Sequence, residues 1–161
     1  MGTSMTLESA HYAFALAQRV GRLATVDDAM QPHALPVCYA CDGAAFFIAL
    51  DSKPKRIAPQ QLKRVRNILA NPRVALVIDR YCDDWQHLGF LLIQAQARLL
   101  YPDERQHPQA IALLRERYRP YRDMPIETQP VIMLQPMKVI AWGNLAYDAS
   151  TDAESSAGSP R

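Results

Sequence analysis

The chain has 161 residues, of which 49% are hydrophobic and 21% charged, and its formal net charge is +2 at pH 7. This length favours one domain with a substantial hydrophobic core, and the near-neutral charge argues against a general nucleic-acid-binding protein. Neither a signal peptide nor an apolar run long enough to span a membrane is evident, so we expect a cytoplasmic protein.

The first half of the chain is predicted to form a helix followed by three antiparallel strands. Ser9 can cap the helix, and Gly21 is a suitable residue to end it. Strands are then expected at residues 22–26, 32–40 and 44–50. The last two are joined at Asp42-Gly43, a strong hairpin signal. The third strand alternates only weakly between polar and apolar residues, which indicates burial on both faces, as inside a barrel.

The second half alternates helices with strands. Helices are expected at residues 61–69 and from Pro108 to Tyr118. Strands are expected at residues 73–79, 88–100 (bent near 94–97), 131–134 and 139–145. Sequential strands with short turns favour a mainly β fold, an antiparallel barrel with peripheral helices, over a doubly wound parallel sheet. Residues 1–147 are predicted to be one domain, and the polar residues 148–161 a disordered tail.

A cluster of charge follows the apolar third strand. The strand ends in Asp51-Ser52-Lys53-Pro54-Lys55-Arg56. Lys53 and Lys55 flank a proline that favours extended backbone before it, so both side chains are expected to point to one side. With the guanidinium of Arg56 they would form a seat for a phosphate group. The alternative interpretation is a solvated basic loop.

Other reactive residue types lack the spacing of a catalytic or metal site. Cys38 and Cys41 have CxxC spacing, but they lie where a strand runs into a turn, and no second pair completes a zinc site, so we interpret them as packed thiols. The four histidines are scattered. We therefore expect no catalytic dyad and no metal site. The cations of the 61–69 helix, Lys63, Arg64 and Arg66, lie off its apolar stripe and are interpreted as a solvated face.

Several segments together resemble the pyridoxamine 5′-phosphate oxidase-like flavin-binding proteins. They are Arg-Leu-Ala-Thr-Val (22–26), Gln-Pro-His-Ala-Leu-Pro-Val (31–37), Asp-Ser-Lys-Pro-Lys-Arg (51–56), and residues 71–81 with Asp-Asp-Trp (83–85). The closest likeness is to the subgroup of deazaflavin (coenzyme F-420) enzymes, and it covers about residues 10–145. The resemblance implies a six-stranded antiparallel split β-barrel with surrounding helices, and a homodimer with a cofactor site at the subunit interface.

The resemblance also implies which residues would hold the cofactor, FMN or coenzyme F-420. Its ring and backbone would lie along Pro36, Val37 and Cys38. Its phosphate would meet Ala49, Leu50, Asp51, Ser52, Lys53, Lys55 and Arg56. Trp85 and Trp142 are candidate ring-side or partner-chain contacts, although Trp85 could instead cover a barrel end.

This sequence departs from the family pattern at three places. The vitamin-salvage oxidases carry Arg and Lys where this chain has Leu35 and Ala40, which weighs against pyridoxamine phosphate as a substrate. The deazaflavin subgroup carries a tryptophan pair where this chain has Gly89-Phe90, and a hairpin glycine where it has Met30.

Three classes of function follow from these patterns. The first is an oxidoreductase that transfers a hydride between F-420 or FMN and a small organic substrate, for which the cofactor supplies the chemistry. The second is a non-catalytic flavin, deazaflavin or haem-binding protein with the same fold. The third, a small barrel that binds nucleic acid or protein, is disfavoured by the low net charge.

Overall fold

The computed structural model describes residues 5–51, 58 and 61–146 of the chain. Within these ranges the strands are β1 (Gly21–Val26), β2 (Pro32–Val37), β3 (Ala40–Cys41), β4 (Phe46–Ala49), β5 (Arg73–Arg80), β6 (Gly89–Leu100) and β7 (Val131–Gly143). The α-helices are α1 (Ser9–Ala17), α2 (Lys63–Ala70) and α3 (His107–Arg117), and short 3-10 helices cover Trp85–His87, Arg119–Arg122 and Ile126–Thr128. The predicted tail, residues 148–161, lies outside the described ranges. None of the described helices has the length and apolar character that crossing a bilayer would require.

The strands form one curled antiparallel sheet in the order β2-β1-β5-β6-β7-β4-β3. Its two outermost strands, β2 and β3, are separated in the chain by only Cys38 and Tyr39. The two edges of the sheet must therefore approach each other at this point, which we call the seam. The predicted antiparallel split barrel with peripheral helices is confirmed, but with seven strands rather than the expected six.

The seam explains why the predicted three-strand meander was wrong. Residues 32–40 were expected to be one strand, but strand pairing stops at Tyr39. The backbone N–H and the hydroxyl of this residue form hydrogen bonds outside the sheet. Its backbone N–H donates to the Tyr118 hydroxyl at 2.9 Å, and its own hydroxyl donates to the Ala15 carbonyl at 2.6 Å. The hairpin at Asp42-Gly43 is confirmed, and it joins β3 to β4.

The longest pairing in the sheet joins β6 to β7. The register of this pairing shifts between Gln94 and Ala95, where Met137 of β7 is the extra residue. The shift falls at the start of the range in which a bend of β6 is predicted. The expected gap in the last strand was wrong, because β7 continues through Pro136, which lies opposite Ala95 beside this shift. A proline lacks the N–H that the ladder uses, and an irregularity in the pairing is where a sheet tolerates one.

The core has two parts, one on each side of β4. Phe46 and Ile48 point into the barrel, whereas Phe47 and Ala49 pack in a second cluster with residues of α3. All four side chains are buried, which confirms the predicted burial of this strand on both faces. The end of β4 is thereby fixed from two sides, and this end is where the predicted phosphate seat begins.

Helix α1 ends at Ala17 rather than near Gly21, because its last carbonyls are satisfied from outside the helix. Arg117 donates to the carbonyl oxygens of Leu16 (2.8 Å), Ala15 (3.3 Å) and Gln18. Its guanidinium also lies over the ring of Tyr39, 5.1 Å from the ring centre. These contacts fasten α1 to the end of α3 and hold the tyrosine that forms the seam.

Candidate functional site

The predicted ring-binding residues lie where β2 runs into the seam. Pro36 is exposed on β2 opposite Arg22, and Val37 is buried opposite Gly21. Cys38 follows β2 directly and is half-buried. Its thiol therefore has partial access to solvent at the point where the two edges of the sheet meet.

The described part of the predicted phosphate seat lies at the end of β4. Ala49 and Leu50 are both 3% exposed, and Asp51 is half-buried. Ser52, Lys53, Lys55 and Arg56 lie outside the described residues, so their part in a phosphate seat stays a prediction. The chain thus leaves a rigid, buried strand at Asp51 and enters the basic segment from a fixed position.

Tyr121 lies within electrostatic reach of both groups of residues. Its side chain is buried in the 3-10 helix Arg119–Arg122. Burial raises the pKa of Tyr121 well above its usual value, and the next contributions come from the Cys38 thiol and the Asp51 carboxylate. Cys38 and Asp51, which the family resemblance assigns to the ring and the phosphate of one cofactor, therefore both lie within electrostatic reach of one hydroxyl group.

The i, i+3 spacing of Tyr118 and Tyr121 was the signal that sequence reasoning undervalued. Their rings pack edge to face with centres 5.6 Å apart, and both are buried among residues of α3 and β4. The Tyr121 hydroxyl, like that of any tyrosine, is neutral at physiological pH and can both donate and accept a hydrogen bond, and burial raises its pKa further.

Arg64 is the second residue that sequence reasoning missed. It was assigned to a solvated face of α2, but it is half-buried, and its Nε has no hydrogen-bond partner among the described residues. Burial lowers the pKa of its guanidinium, and the nearby Asp51 and Tyr121 partly offset this effect. The solvated interpretation holds for Arg66, which is exposed. Lys63 is also exposed, but its ammonium pairs with Asp27 at 2.8 Å.

The two tryptophans lie near the Gly89–Gly143 end of the β6-β7 pairing. Trp142 is near the end of β7, whereas Val131, opposite Ala49, is at its beginning. Eleven residues of extended strand correspond to roughly 36 Å along the chain. Trp142 stacks on Phe90 with ring centres 5.7 Å apart, and Trp85 is 73% exposed, so Trp85 does not cover a barrel end as a core aromatic.

Arg80 holds two loops near the tryptophans, one at His87 and one at Asn144. Its Nε and Nη2 donate to the His87 carbonyl at 3.0 and 2.9 Å, and Nη2 also donates to the Asn144 carbonyl. Its guanidinium lies over the Phe14 ring, 5.2 Å from the centre. Both loops are therefore fixed to α1 and to the end of β5.

The outer face of the sheet carries apolar side chains around Trp142. Ile140, Trp142 and Met137 are 37%, 53% and 52% exposed. Alongside Met137, a shallow groove of about 440 Å³ crosses β1, β5 and β6 and is lined by Ala24 and Ala75 among others. Ile140 and Trp142 lie two residues apart on β7 and so share one face of the sheet, and exposed apolar side chains that lie together are typical of interaction surfaces.

Comparison with known proteins matches this arrangement to one family. The family model for pyridoxamine 5′-phosphate oxidase matches residues 7–143. Similar solved structures include the haem storage protein HutZ from Vibrio cholerae, at 21% identity over 86% of this chain and 95% of that chain, with a TM-score of 0.65. An FAD-binding protein from Mesorhizobium loti is 21% identical over 85% of this chain and 95% of that chain, with a TM-score of 0.60. An FAD-binding protein from Mycobacterium smegmatis is 15% identical over 86% of this chain and 97% of that chain, with a TM-score of 0.57. At these identities the likeness concerns the fold alone, and no curated protein sequence matches the chain significantly.

Proposed function

Since the chain belongs to the pyridoxamine 5′-phosphate oxidase family, we propose that it is a homodimeric oxidoreductase that binds FMN or coenzyme F-420. The cofactor would exchange a hydride with a small organic substrate, and the protein would supply binding, orientation and electrostatics. The observation that supports this proposal, beside the family match, is that Cys38 and Asp51 both raise the pKa of Tyr121 and so lie within electrostatic reach of the same hydroxyl group. Residues from the two segments assigned to one cofactor are thus both near Tyr121 in one protomer.

The residues of this cluster fit a flavin nucleotide. The half-buried guanidinium of Arg64, whose Nε has no hydrogen-bond partner among the described residues, suits the negative charge of a phosphate. The residues that would accept pyridoxamine phosphate fit less well. Leu35 and Ala40 stand where the vitamin-salvage oxidases carry cations, and both pack against the core. We therefore propose a substrate other than pyridoxamine phosphate.

The proposed dimer is supported by an exposed surface of the sheet, against which a second copy of the chain would pack. The exposed apolar patch around Trp142 and Ile140 offers a surface for that copy. Pairing of two such faces would remove apolar area from water, which is the main favourable term in association.

The cofactor is tested by absorption spectroscopy of the purified protein, titrated with FMN and with F-420. Binding of either, followed by reduction of the bound cofactor and reoxidation by a panel of small acceptors, would support an oxidoreductase. Binding of a cofactor without turnover would instead support a non-catalytic cofactor-binding protein. A protein that binds neither cofactor would overturn the proposal.

A matched pair of variants tests the predicted phosphate seat. Lys55→Ala is expected to weaken cofactor binding about tenfold or more, because each charge-assisted contact contributes roughly 1.5–3 kcal/mol. Lys63→Ala removes the same charge from a residue that pairs with Asp27, and it should leave affinity unchanged. Equal affinities for the two variants would contradict the predicted role of Lys55.

Haem binding is the second candidate, and one residue favours it. His33 lies half-buried on β2, next to the predicted ring-binding residues, and its Nδ1 has no hydrogen-bond partner among the described residues. A neutral imidazole nitrogen is a common axial ligand of haem iron. Addition of haemin should then give a Soret band that His33→Ala shifts or abolishes, and an unchanged band would exclude this ligand.

A further inference from the structure

Arg80 is a half-buried residue at the end of β5 whose guanidinium contacts three separate segments of the chain. It donates to the His87 carbonyl at 3.0 and 2.9 Å, and Nη2 also donates to the Asn144 carbonyl. The same guanidinium lies over the Phe14 ring of α1. A planar fork of donors holds two carbonyl oxygens in a geometry that the point-like ammonium of a lysine does not reproduce. The two loops are therefore fixed to each other as well as to α1.

Two glycines at the end of the β6-β7 pairing leave room for these contacts. Gly89 lies opposite Arg80 on one side and opposite Gly143 on the other. A Cβ at Gly89 would lie 3.3 Å from the Phe14 ring and 3.5 Å from Nη2 of Arg80. A Cβ at Gly143 would lie 2.2 Å from the Leu88 carbonyl oxygen. Glycine at both positions therefore lets the two loops pack closely against each other and against the guanidinium.

Each of the two loops follows a tryptophan that lies two residues before the carbonyl held by Arg80. Trp85 precedes His87 in a 3-10 helix, and Trp142 precedes Asn144 at the end of β7. Both side chains are exposed. An exposed tryptophan on a fixed backbone loses little conformational freedom when it is covered, and tryptophan is enriched among the residues that dominate binding energy at interfaces. The two rings are therefore suited to an intermolecular contact.

The face of the sheet that carries Trp142 extends across three strands. Residues that lie opposite each other in an antiparallel pairing share one face. Two rows across β5, β6 and β7 are defined in this way: Asp79, Phe90 and Trp142, and Val77, Leu92 and Ile140. The only charged member, Asp79, pairs with Arg22 of β1 at 2.7 Å. A face whose charges are paired within itself suits a second copy of the same face, because like charges are not brought together.

We propose that Arg80 is a positioning residue for the dimer contact, because it fixes Trp85 and Trp142 as one aromatic surface against which the second copy packs. This inference rests on the proposed homodimer and deepens it, since it names a residue that determines the orientation of the contact. Arg80 follows Asp79 and so points to the opposite face of β5. Its effect is exerted through the two loops.

The first test uses the tryptophan signals of the protein, to which only Trp85 and Trp142 contribute. Arg80→Lys keeps the charge but not the fork. At protein concentrations low enough to give monomers, it should lose more than half of the tryptophan band in near-ultraviolet circular dichroism. Arg119→Lys changes an exposed arginine outside the sheet and should keep the band. An unchanged band in Arg80→Lys would overturn the proposal.

The second test measures the dissociation constant of the dimer by sedimentation velocity. Arg80→Lys should raise this constant at least about tenfold, as expected when an interface residue of high energetic weight is displaced. Gly43→Ala destabilises the protein at the turn between β3 and β4 and should leave the constant unchanged. An equal rise in Gly43→Ala would mean that general destabilisation, rather than the position of the tryptophans, weakens the dimer, and it would overturn the proposal.

Two outcomes separate this inference from the proposed homodimer. If the unaltered protein sediments as a monomer, the homodimer and this contact both fail. If the unaltered protein is a dimer and Arg80→Lys dimerises with equal affinity, the role of Arg80 alone fails. If Arg80→Lys does not fold, time-resolved anisotropy of tryptophan emission in the unaltered protein decides. Rings that are held in place lose anisotropy only as the whole molecule tumbles, and a fast local component would overturn the proposal.

Discussion

The contacts of Arg117 make a specific prediction about stability. Arg117→Met keeps most of the aliphatic stem but removes the donors to Ala15, Leu16 and Gln18 and the cation over the Tyr39 ring. Hydrogen bonds from a charged donor contribute about 1.5–3 kcal/mol each, and a cation–π contact about 0.5–1 kcal/mol. The Arg117 side chain is only half-buried, so hydrogen bonds to water will replace part of the lost stabilisation. We expect the free energy of unfolding to fall by about 3 kcal/mol.

Urea denaturation followed by circular dichroism measures this loss. With a slope of roughly 2 kcal/mol per molar urea, the midpoint of Arg117→Met should fall by about 1.5 M. Arg119→Met removes the same charge from an exposed position two residues away, and it should shift the midpoint by less than about 0.3 M. If the two variants unfold at the same urea concentration, Arg117 does not hold the end of α1 in the way described.

Three further predictions follow from other features. Gly143→Ala should be strongly destabilising in thermal unfolding, because Gly143 has φ +86° and an added Cβ would lie 2.2 Å from the Leu88 carbonyl oxygen. Gly43→Ala has a similar φ of +92° but open space around it, so it should cost only about 1 kcal/mol, and equal losses would refute the steric argument. Burial raises the pKa of the Cys41 thiol to about 12, above that of an unfolded thiol, so stability should fall as pH rises from about 9 to about 12. Cys41→Ala should flatten this decline in urea midpoints, and an unchanged slope would contradict it. Ile140→Asp should convert the proposed dimer to monomer in sedimentation velocity, and a persistent dimer would show that another face pairs.

The sequence predicts best where structure is determined locally. The hairpin at Asp42-Gly43 and the helix predicted at residues 61–69 depend on residues close together in the chain. The two-sided burial of β4 is visible in its unbroken run of apolar residues. The seam could not be predicted in the same way. Residues 32–40 have the composition of one strand, and the break at Tyr39 arises from a hydrogen bond to Tyr118. Only the folded chain brings these two residues together.

The candidate site likewise contains some residues that the sequence predicts and others that it does not. The segment around Asp51 is visible in the sequence because a run of charge follows a buried strand. Arg64 is not visible, since a cation off the apolar stripe of a helix is normally solvated. Its burial depends on the elements that pack beside α2. The two groups that raise the pKa of its guanidinium, Asp51 and Tyr121, come from other elements of the fold. The separation of Trp142 from Ala49 likewise depends on the register of β7 against β4.

The pairing of β4 with β7 has a consequence for how the chain folds. β1 and β2 form a local hairpin, which can close early, but Ala49 pairs with Val131, far along the sequence. Contacts this distant in sequence slow folding, because the entropy of closing the loop is lost before the contact stabilises anything. During synthesis, β4 would have no strand partner on that side until residues 131–134 leave the ribosome. The end of β4, from which the proposed site begins, would therefore become fixed among the last steps of folding, and an interrupted chain would expose Phe46 and Phe47 to aggregation.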